Sequence, residues 1–274
     1  MKAVVFLGGG RITAALIAGL RLAGDRRPMV VHDRNPGKVR ALRREFGVEA
    51  ARDLKSALLR AEALRAEMLI VAVRPGSVAE LLEEIAACGV RTPKLCVSLA
   101  AGIPLKKLRA GLGFGTGGGV RWARAMPSPV CRIGHGLTAV TYDRGLSLAD
   151  RGQVREFFEL VGPVLEIPET RFDAFSAAYS PSHGYHALAT LGAAAEAAGL
   201  DRKTALAAGA HAFAEAIRYW RESGLSLAEL LHEAATPGGI AAATMEAMNR
   251  CGYERAVTTG LRAGIRRARL NARL

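Results

Sequence analysis

The clearest chemical potential lies at the start of the chain, in "FLGGGRITAALIAGL". There an apolar run stops at Gly8, Gly9 and Gly10, and an alanine-rich helical pattern follows. Glycines at the first and third of these positions permit a sharp turn whose backbone can approach a pyrophosphate. The helix behind them offers unpaired N–H groups and the positive end of its dipole. Thr13 takes the third small position, so the pattern is GxGxxT, and the next apolar run, "PMVVHD", ends at Asp33, just over twenty residues after Gly10. An acidic side chain at that distance suits a contact with the adenosine ribose. Asp33 fits a free 2′-hydroxyl and the adjacent Arg34 a 2′-phosphate, so NAD and NADP both stay open. A turn that merely joins a strand to a helix would use the same glycines, but the matched spacing favours the dinucleotide.

A second anion site is suggested by "ATPGGI". Thr236 can cap a helix with Pro237 at its first position, leaving the N–H groups of Gly238, Gly239 and Ile240 as a seat for a carboxylate. An ordinary capped helix start accounts for the same residues. His183 and His186 are three apart and can share a helix face, but no third ligand or HExxH pattern accompanies them, so no metal is expected. His211 suits packing. Cys88, Cys96, Cys131 and Cys251 show no CxxC spacing and are expected to be inert thiols.

The net charge of +13 points to an acidic partner, and a phosphate-bearing cofactor satisfies that. Basic residues cluster only in "GLRAGIRRARLNARL", where no aromatics interleave to stack bases, so the cluster is expected to be a solvated helix face and nucleic acid is not expected. Every apolar run is interrupted by Arg, Glu or Gly before it could span a bilayer, and the first enters the glycine turn directly, unlike a signal peptide. No membrane contact and a cytoplasmic location are therefore expected.

These residues need a frame to hold them. "AVVFL", "PMVVHD", "AEMLIVAV" and "KLCVSLA" are continuous apolar runs of strand length. They alternate with helical patterns over about 12–24, 36–46 and 76–88 and from near Pro104. That alternation predicts a doubly wound parallel sheet of the Rossmann type, extended by short strands near "VRWAR" and "GLTAVTY". "GLGFGTGGG", residues 111 to 119, lacks the GK[ST] ending of a phosphate loop and is expected to be a connector. From about 160–170 strand patterns cease. "FDAFSAAYSPSHGYHALATLGAAAEAAGL" and "DRKTALAAGAHAFAEAIRYWRESG" predict long helices, with three shorter ones after them. Two domains are expected, 1–165 and 166–274, the second all-α. Several of its helices are apolar nearly all round, and about a hundred residues cannot bury them, so homodimerisation or higher self-assembly through this domain is expected.

Several motifs, in order, resemble those of the pyrroline-5-carboxylate reductase family: "FLGGGRITAALIAGL" with Arg11 at a usual Asn, "VAVRPGSV" with Arg74 at a usual Lys, "SLAAGIPL", "RAMPSPV", "FDAFSAA", and the stretch from "EAATPGGIAAATMEAMN" to the end. The resemblance covers nearly the whole chain. It implies a Rossmann domain followed by a helical dimerisation domain, and reduction of a cyclic imine to proline by NADPH or NADH. By position it implies that Gly8, Gly9, Gly10, Arg11 and Ile12 cradle the pyrophosphate, with Asp33 and Arg34 at the adenosine end. Ala72, Val73, Arg74, Pro75, Ala100 and Ala101 would lie along the nicotinamide side. It also favours the carboxylate seat at Thr236, Gly238, Gly239 and Ile240. The departures fall on the substrate side. The family's Asn-Thr between two prolines is Ser128 alone, its Ser-Gly-Ser-Gly-Pro stretch is "YSPSH", and the hydroxyl after Pro-Gly-Gly is lost at Ile240–Ala241. Ser128, His183 and Tyr185 are the remaining substrate-side candidates, and no residue is assigned as catalytic. Two alternatives stay open: a related reductase for another carboxylate-bearing imine or carbonyl, and a non-catalytic dinucleotide-binding protein.

Overall fold

The computed structural model describes residues 2–112 and 119–274, so most of the glycine-rich connector lies outside the described residues. The chain forms two compact units, Met1–Tyr179 with Gly264–Leu274, and Ser180–Ala263.

The first unit is built on β1 (Val4–Leu7), β2 (Met29–His32), β3 (Glu49–Ala50), β4 (Met68–Val71), β5 (Leu95–Ser98), β6 (Arg121–Met126), β7 (Thr138–Tyr142) and β8 (Val164–Glu166). They form one sheet in the order β3-β2-β1-β4-β5-β6-β7-β8. Pairing is parallel from β3 to β6, antiparallel between β6 and β7, and parallel between β7 and β8. Order 3-2-1-4-5-6 is the dinucleotide-binding order, and the direction of chain progression reverses at β1, opening a crevice at the carboxyl ends of β1 and β4. The helices are α1 (Arg11–Leu22), α2 (Pro36–Phe46), α3 (Leu54–Ala63), α4 (Val78–Ala87), α5 (Leu105–Gly111), α6 (Leu148–Glu159) and α7 (Glu169–Ala178).

The central strands are apolar on both sides because helices cover both faces. One core holds Phe6, Leu16, Ile17, Leu20, Phe157 and Phe158. The other, across the sheet, holds Leu58, Leu69, Leu82, Ile85, Leu108 and Trp122. Trp122 keeps its one polar atom paired while buried, its indole N–H donating to the Leu112 carbonyl at 3.0 Å.

The second unit is helical: α8 (Pro181–Ala197), α9 (Arg202–Ser223), α10 (Leu227–Ala234), α11 (Ile240–Arg250) and the first part of α12 (Tyr253–Asn271). Within it α8 packs along α9, where Gly192 lies against Leu206 and Gly209 against Leu188 and Leu191. Little else is covered: Gly192, Ala205 and Gly209 are its buried residues.

The expected doubly wound sheet and the all-α region after it are both present. The differences are local. The β3–α3 pair, α6 and β8 carry short or weak patterns that were not expected; β8 is a three-residue strand between Pro163 and Pro168. The helix expected to run through "FDAFSAAYSPSH" is broken at Tyr179. Pro181 disfavours a helical Ser180, and Ser180 instead caps α8, its Oγ accepting from the Ser182 N–H. The last helix, expected to be short, runs for 19 residues. The compact units also divide later than residue 165. Strand β8 belongs to the sheet, and α7 is held by Phe172, fully buried with the Arg124 guanidinium 4.5 Å over its ring.

Candidate functional site

The glycine turn is closed by three unlike contacts. Gly8 has φ +112°, a conformation glycine tolerates, and its N–H donates to the His32 carbonyl at 2.7 Å. A Cβ there would lie 2.5 Å from the Ala72 carbonyl oxygen, so only glycine lets β1 end this close to β4. The Gly9 N–H donates to Asp33 Oδ2 at 2.8 Å. Thr13 is fully buried and its hydroxyl donates to the Gly8 carbonyl at 2.6 Å. Thr13 is therefore more than a small residue at the third position of the fingerprint; it ties the helix back onto the turn.

Gly10 then caps α1 with no side chain in the way, and space lies open beyond it. The first-turn amides of α1 have no intrahelical acceptor, so they and the helix dipole face a cleft of about 520 Å³. Leu7, Gly8, Gly10, Arg11, Ile12, His32, Asp33, Arg34, Ala72, Val73 and Arg74 line it. Gly9 stands behind the turn. Pro75, Ala100 and Ala101 are not in the lining: Pro75 opens a 3-10 turn, Ala100 is buried, and the Ala101 carbonyl accepts from Asn271 Nδ2 at 3.2 Å.

Six cleft residues escaped sequence reasoning: apolar Leu7 and Leu81, and polar His32, Lys38, Ser77 and Glu84. His32 carries a buried Nδ1 with no partner, a polar atom left over for something in the cleft. Lys38 Nζ lies 3.3 and 3.4 Å from the two Asp33 oxygens. Glu84, with Glu80 one turn before it on α4, meets Arg34 at 2.6 and 2.9 Å. The i,i+4 spacing of the two glutamates was visible, but not that they would face the end of β2.

Asp33 sits at the centre of this lip. Burial pushes its carboxyl pKa up, but N–H donors from Asn35 and Gly9 and the Lys38 ammonium outweigh that and hold it below the usual carboxylate range. An open glycine cap, unpaired helix amides, cationic Arg11 and Arg74 and an ionised Asp33 together fit a dinucleotide: phosphates at the turn, a ribose hydroxyl at the acid.

The substrate-side candidates are divided between the two units. Ser128 is buried, and its Oγ caps a 3-10 turn (Pro129–Ile133) and lies 3.0 Å from the Tyr179 hydroxyl. Tyr179 Oη also accepts from the Leu137 N–H at 2.7 Å. His183 and Tyr185 are exposed on α8, as is His186. The "TPGG" segment differs from expectation. Thr236–Gly239 is a type II turn, with Gly238 at φ +77° and the Gly239 N–H donating to the Thr236 carbonyl at 2.9 Å. Helix α11 starts only at Ile240, capped by Gly239, so the Gly239 amide is already used. The free first-turn amides are shifted to Ile240 and the two residues after it.

Among the described residues no group of three His, Cys, Asp or Glu side chains is placed to hold a metal ion, and no helix is long and apolar enough to cross a membrane. Cys96 and Cys131 are buried, and burial pushes the Cys131 thiol up to about 12, so neither is a nucleophile in the folded chain.

Comparison with known proteins agrees with this geometry. Residues 3–102 match the family described as NADP oxidoreductase, coenzyme F420-dependent, and residues 169–270 match pyrroline-5-carboxylate reductase dimerisation. The pyrroline-5-carboxylate reductase of Corynebacterium melassecola is 29% identical over 92% of each chain, and that of Escherichia coli K12 is 27% identical over 93% of each. The same fold is seen in the Streptococcus pyogenes 1-pyrroline-5-carboxylate reductase (TM-score 0.87, 20% identity, 98% of each chain). It recurs in the Plasmodium falciparum pyrroline carboxylate reductase solved with NADP bound (TM-score 0.84, 18% identity, 99% of this chain and 98% of that one). With a family match at each end and relatives of one kind along more than nine-tenths of its length, the chain is similar to the pyrroline-5-carboxylate reductases.

Proposed function

We propose that this chain reduces a cyclic imino acid of the 1-pyrroline-5-carboxylate type to the corresponding cyclic amino acid, with proline as the product, at the expense of NADH or NADPH. The observation that carries this reading is the cleft at the β1–β4 switch point, with its open glycine cap and ionised Asp33, in a chain whose motifs follow the family from end to end. The reduced nicotinamide, when bound, supplies a hydride to the imine carbon. An imine that is already protonated needs no further acid, so the product amine keeps the proton it arrived with. The protein's task is to orient the two partners and exclude water. This is compatible with the absence of any assigned acid–base pair.

Within this reading, Arg11, Arg74 and the α1 amides bind the coenzyme phosphates. The first-turn amides of α11 seat the substrate carboxylate, and the exposed apolar helices of the second unit are covered by another copy of the chain. A cytoplasmic location is part of the same proposal, supported by four cysteines that form no disulfide. Oxidation of NADH or NADPH on addition of pyrroline-5-carboxylate, followed at the nicotinamide absorbance, tests it. No turnover with that compound or any other cyclic imino acid defeats it.

A second reading has its own support. Ser128 is committed to Tyr179 and the hydroxyl after Pro-Gly-Gly is absent, so the pocket chemistry differs from the family pattern. A reductase for a different carboxylate-bearing imine or carbonyl would then turn over on a wider panel while ignoring pyrroline-5-carboxylate. Coenzyme binding with no turnover on any member would instead mark a non-catalytic dinucleotide-binding protein.

A further inference from the structure

The lip of the cleft at the end of β2 holds five charged side chains. Asp33 is fixed, its Oδ2 accepting from the Gly9 N–H and its Oδ1 from the Asn35 N–H, each at 2.8 Å. Lys38 approaches both oxygens from one side. An ionised carboxylate offers about four acceptor positions; the two backbone donors fill two, and the exposed Lys38, at 3.3 and 3.4 Å, holds the others loosely enough to yield one to a closer donor. Arg34, the next residue, is the cation whose position suits a 2′-phosphate. Its guanidinium is already divided between Glu80 Oε2 at 2.9 Å and Glu84 Oε1 at 2.6 Å. Asp33, Glu80 and Glu84 against Arg34 and Lys38 leave the lip one negative charge in excess.

We propose that this chain selects the coenzyme with an unphosphorylated adenosine ribose, NADH over NADPH, with Asp33 as the acceptor for the 2′-hydroxyl and the Glu80–Arg34–Glu84 cluster keeping the arginine from a 2′-phosphate. The inference rests on the dinucleotide reading of the cleft. A 2′-phosphate brings about two negative charges near neutral pH. To be held, it must draw Arg34 from two carboxylates while standing beside a third. A 2′-hydroxyl meets neither cost, and its O–H finds a charged acceptor whose orientation is set in advance by backbone donors.

The test is calorimetric titration of the purified full-length chain with NADH and with NADPH at one fixed salt concentration. NADH is expected to bind more tightly by about tenfold or more. Asp33→Ser is expected to shift the ratio toward NADPH by a similar factor. Because Asp33 also braces the glycine turn, the E80Q/E84Q double variant is measured beside it. Glu80 is exposed and Glu84 half-buried at the cleft edge, and freeing Arg34 from both should raise NADPH binding relative to NADH several-fold. Equal or tighter binding of NADPH by the unmodified chain overturns the inference alone, and so does an unchanged ratio in the double variant. Binding of neither coenzyme overturns the dinucleotide reading itself, and this inference with it.

Discussion

The two compact units are both rich in Ala and Leu, the second more so in Ala, yet they treat apolar surface in opposite ways. In the first, Trp122, Phe6, Phe157, Phe158 and Phe172 vanish from solvent between sheet and helices. In the second, Phe213, Ile217, Tyr219, Trp220, Leu227 and Leu231 remain open. Burial of apolar surface stabilises by about 25 cal/mol per Å², and the second unit leaves most of that stabilisation unclaimed within one chain. A sheet completes its own core by recruiting helices to both faces, whereas a few helices without a sheet have no such partner. The first unit opens a cleft at the end of its sheet, and the second leaves apolar helix faces uncovered within one chain.

The largest effect should come from breaking that second role. Phe213 and Ile217 are one turn apart on α9, and replacing both with Glu places two charges on the exposed apolar face. If a copy of the chain covers it, each loss is worth about 2 kcal/mol or more at a well-packed interface, so assembly should weaken by roughly a thousandfold. Light scattering should then report the mass of one chain, with NADH affinity within about threefold of the parent. An unchanged mass would show that this face is not where copies meet.

Next in size is a pair of substitutions within the glycine turn. Gly8→Ala meets both a positive φ and the Ala72 carbonyl, and should cost about 2–4 kcal/mol of stability in urea titration, with coenzyme binding lost as well. At Gly10→Ala, where nothing stands within 4 Å, stability should change by less than about 1 kcal/mol. Coenzyme affinity should nonetheless fall, because the new methyl occupies the open approach to the first-turn amides. Equal destabilisation by the two variants would contradict the division of labour between Gly8, which closes the sheet, and Gly10, which faces the ligand.

That division marks how far the amino-acid sequence could be read unaided. The parallel sheet was legible because buried strands are uninterrupted apolar runs, and the glycines were legible because turn geometry demands them. What could not be read was which long-range partners the side chains would find. Thr13 looked merely small until its hydroxyl was seen on the Gly8 carbonyl. Ser128 looked available for substrate until Tyr179 was found against it from another element. Thr236 and Pro237 had the chemistry of a helix start, but a Pro-Gly pair serves a type II turn equally well, and tertiary context chose the turn. Glu84 became part of the cleft only because strand order sets α4 beside the end of β2.

The Ser128–Tyr179 contact supplies a smaller test on the sheet-bearing side. Tyr179→Phe leaves the half-buried Leu137 N–H and the Ser128 hydroxyl without their shared partner, a loss of about 1–2 kcal/mol. Urea unfolding should show this while coenzyme affinity stays unchanged. If turnover of a cyclic imino acid fell with stability unaltered, the hydroxyl pair would belong to the substrate pocket instead.

The smallest expected effect separates the units by pH. Asp33 has a folded pKa below its unfolded value, so its stabilisation is complete above the unfolded value and is lost as pH falls through the folded one. For an aspartate that window lies below about pH 4. Asp33→Asn removes the ionisation, so the variant should be less stable than the parent at neutral pH, and the gap should close once the parent's carboxyl is protonated. Hydrogen exchange resolved by segment should confine the difference to the glycine turn and the start of α2. The helices of the second unit, which supply none of the Asp33 partners described above, should exchange alike in both proteins at every pH. A gap that persisted undiminished below about pH 3 would mean that Asp33 braces the turn as a neutral hydrogen-bonding group. The charge that favours an unphosphorylated ribose would then have to come from Glu80 and Glu84 alone.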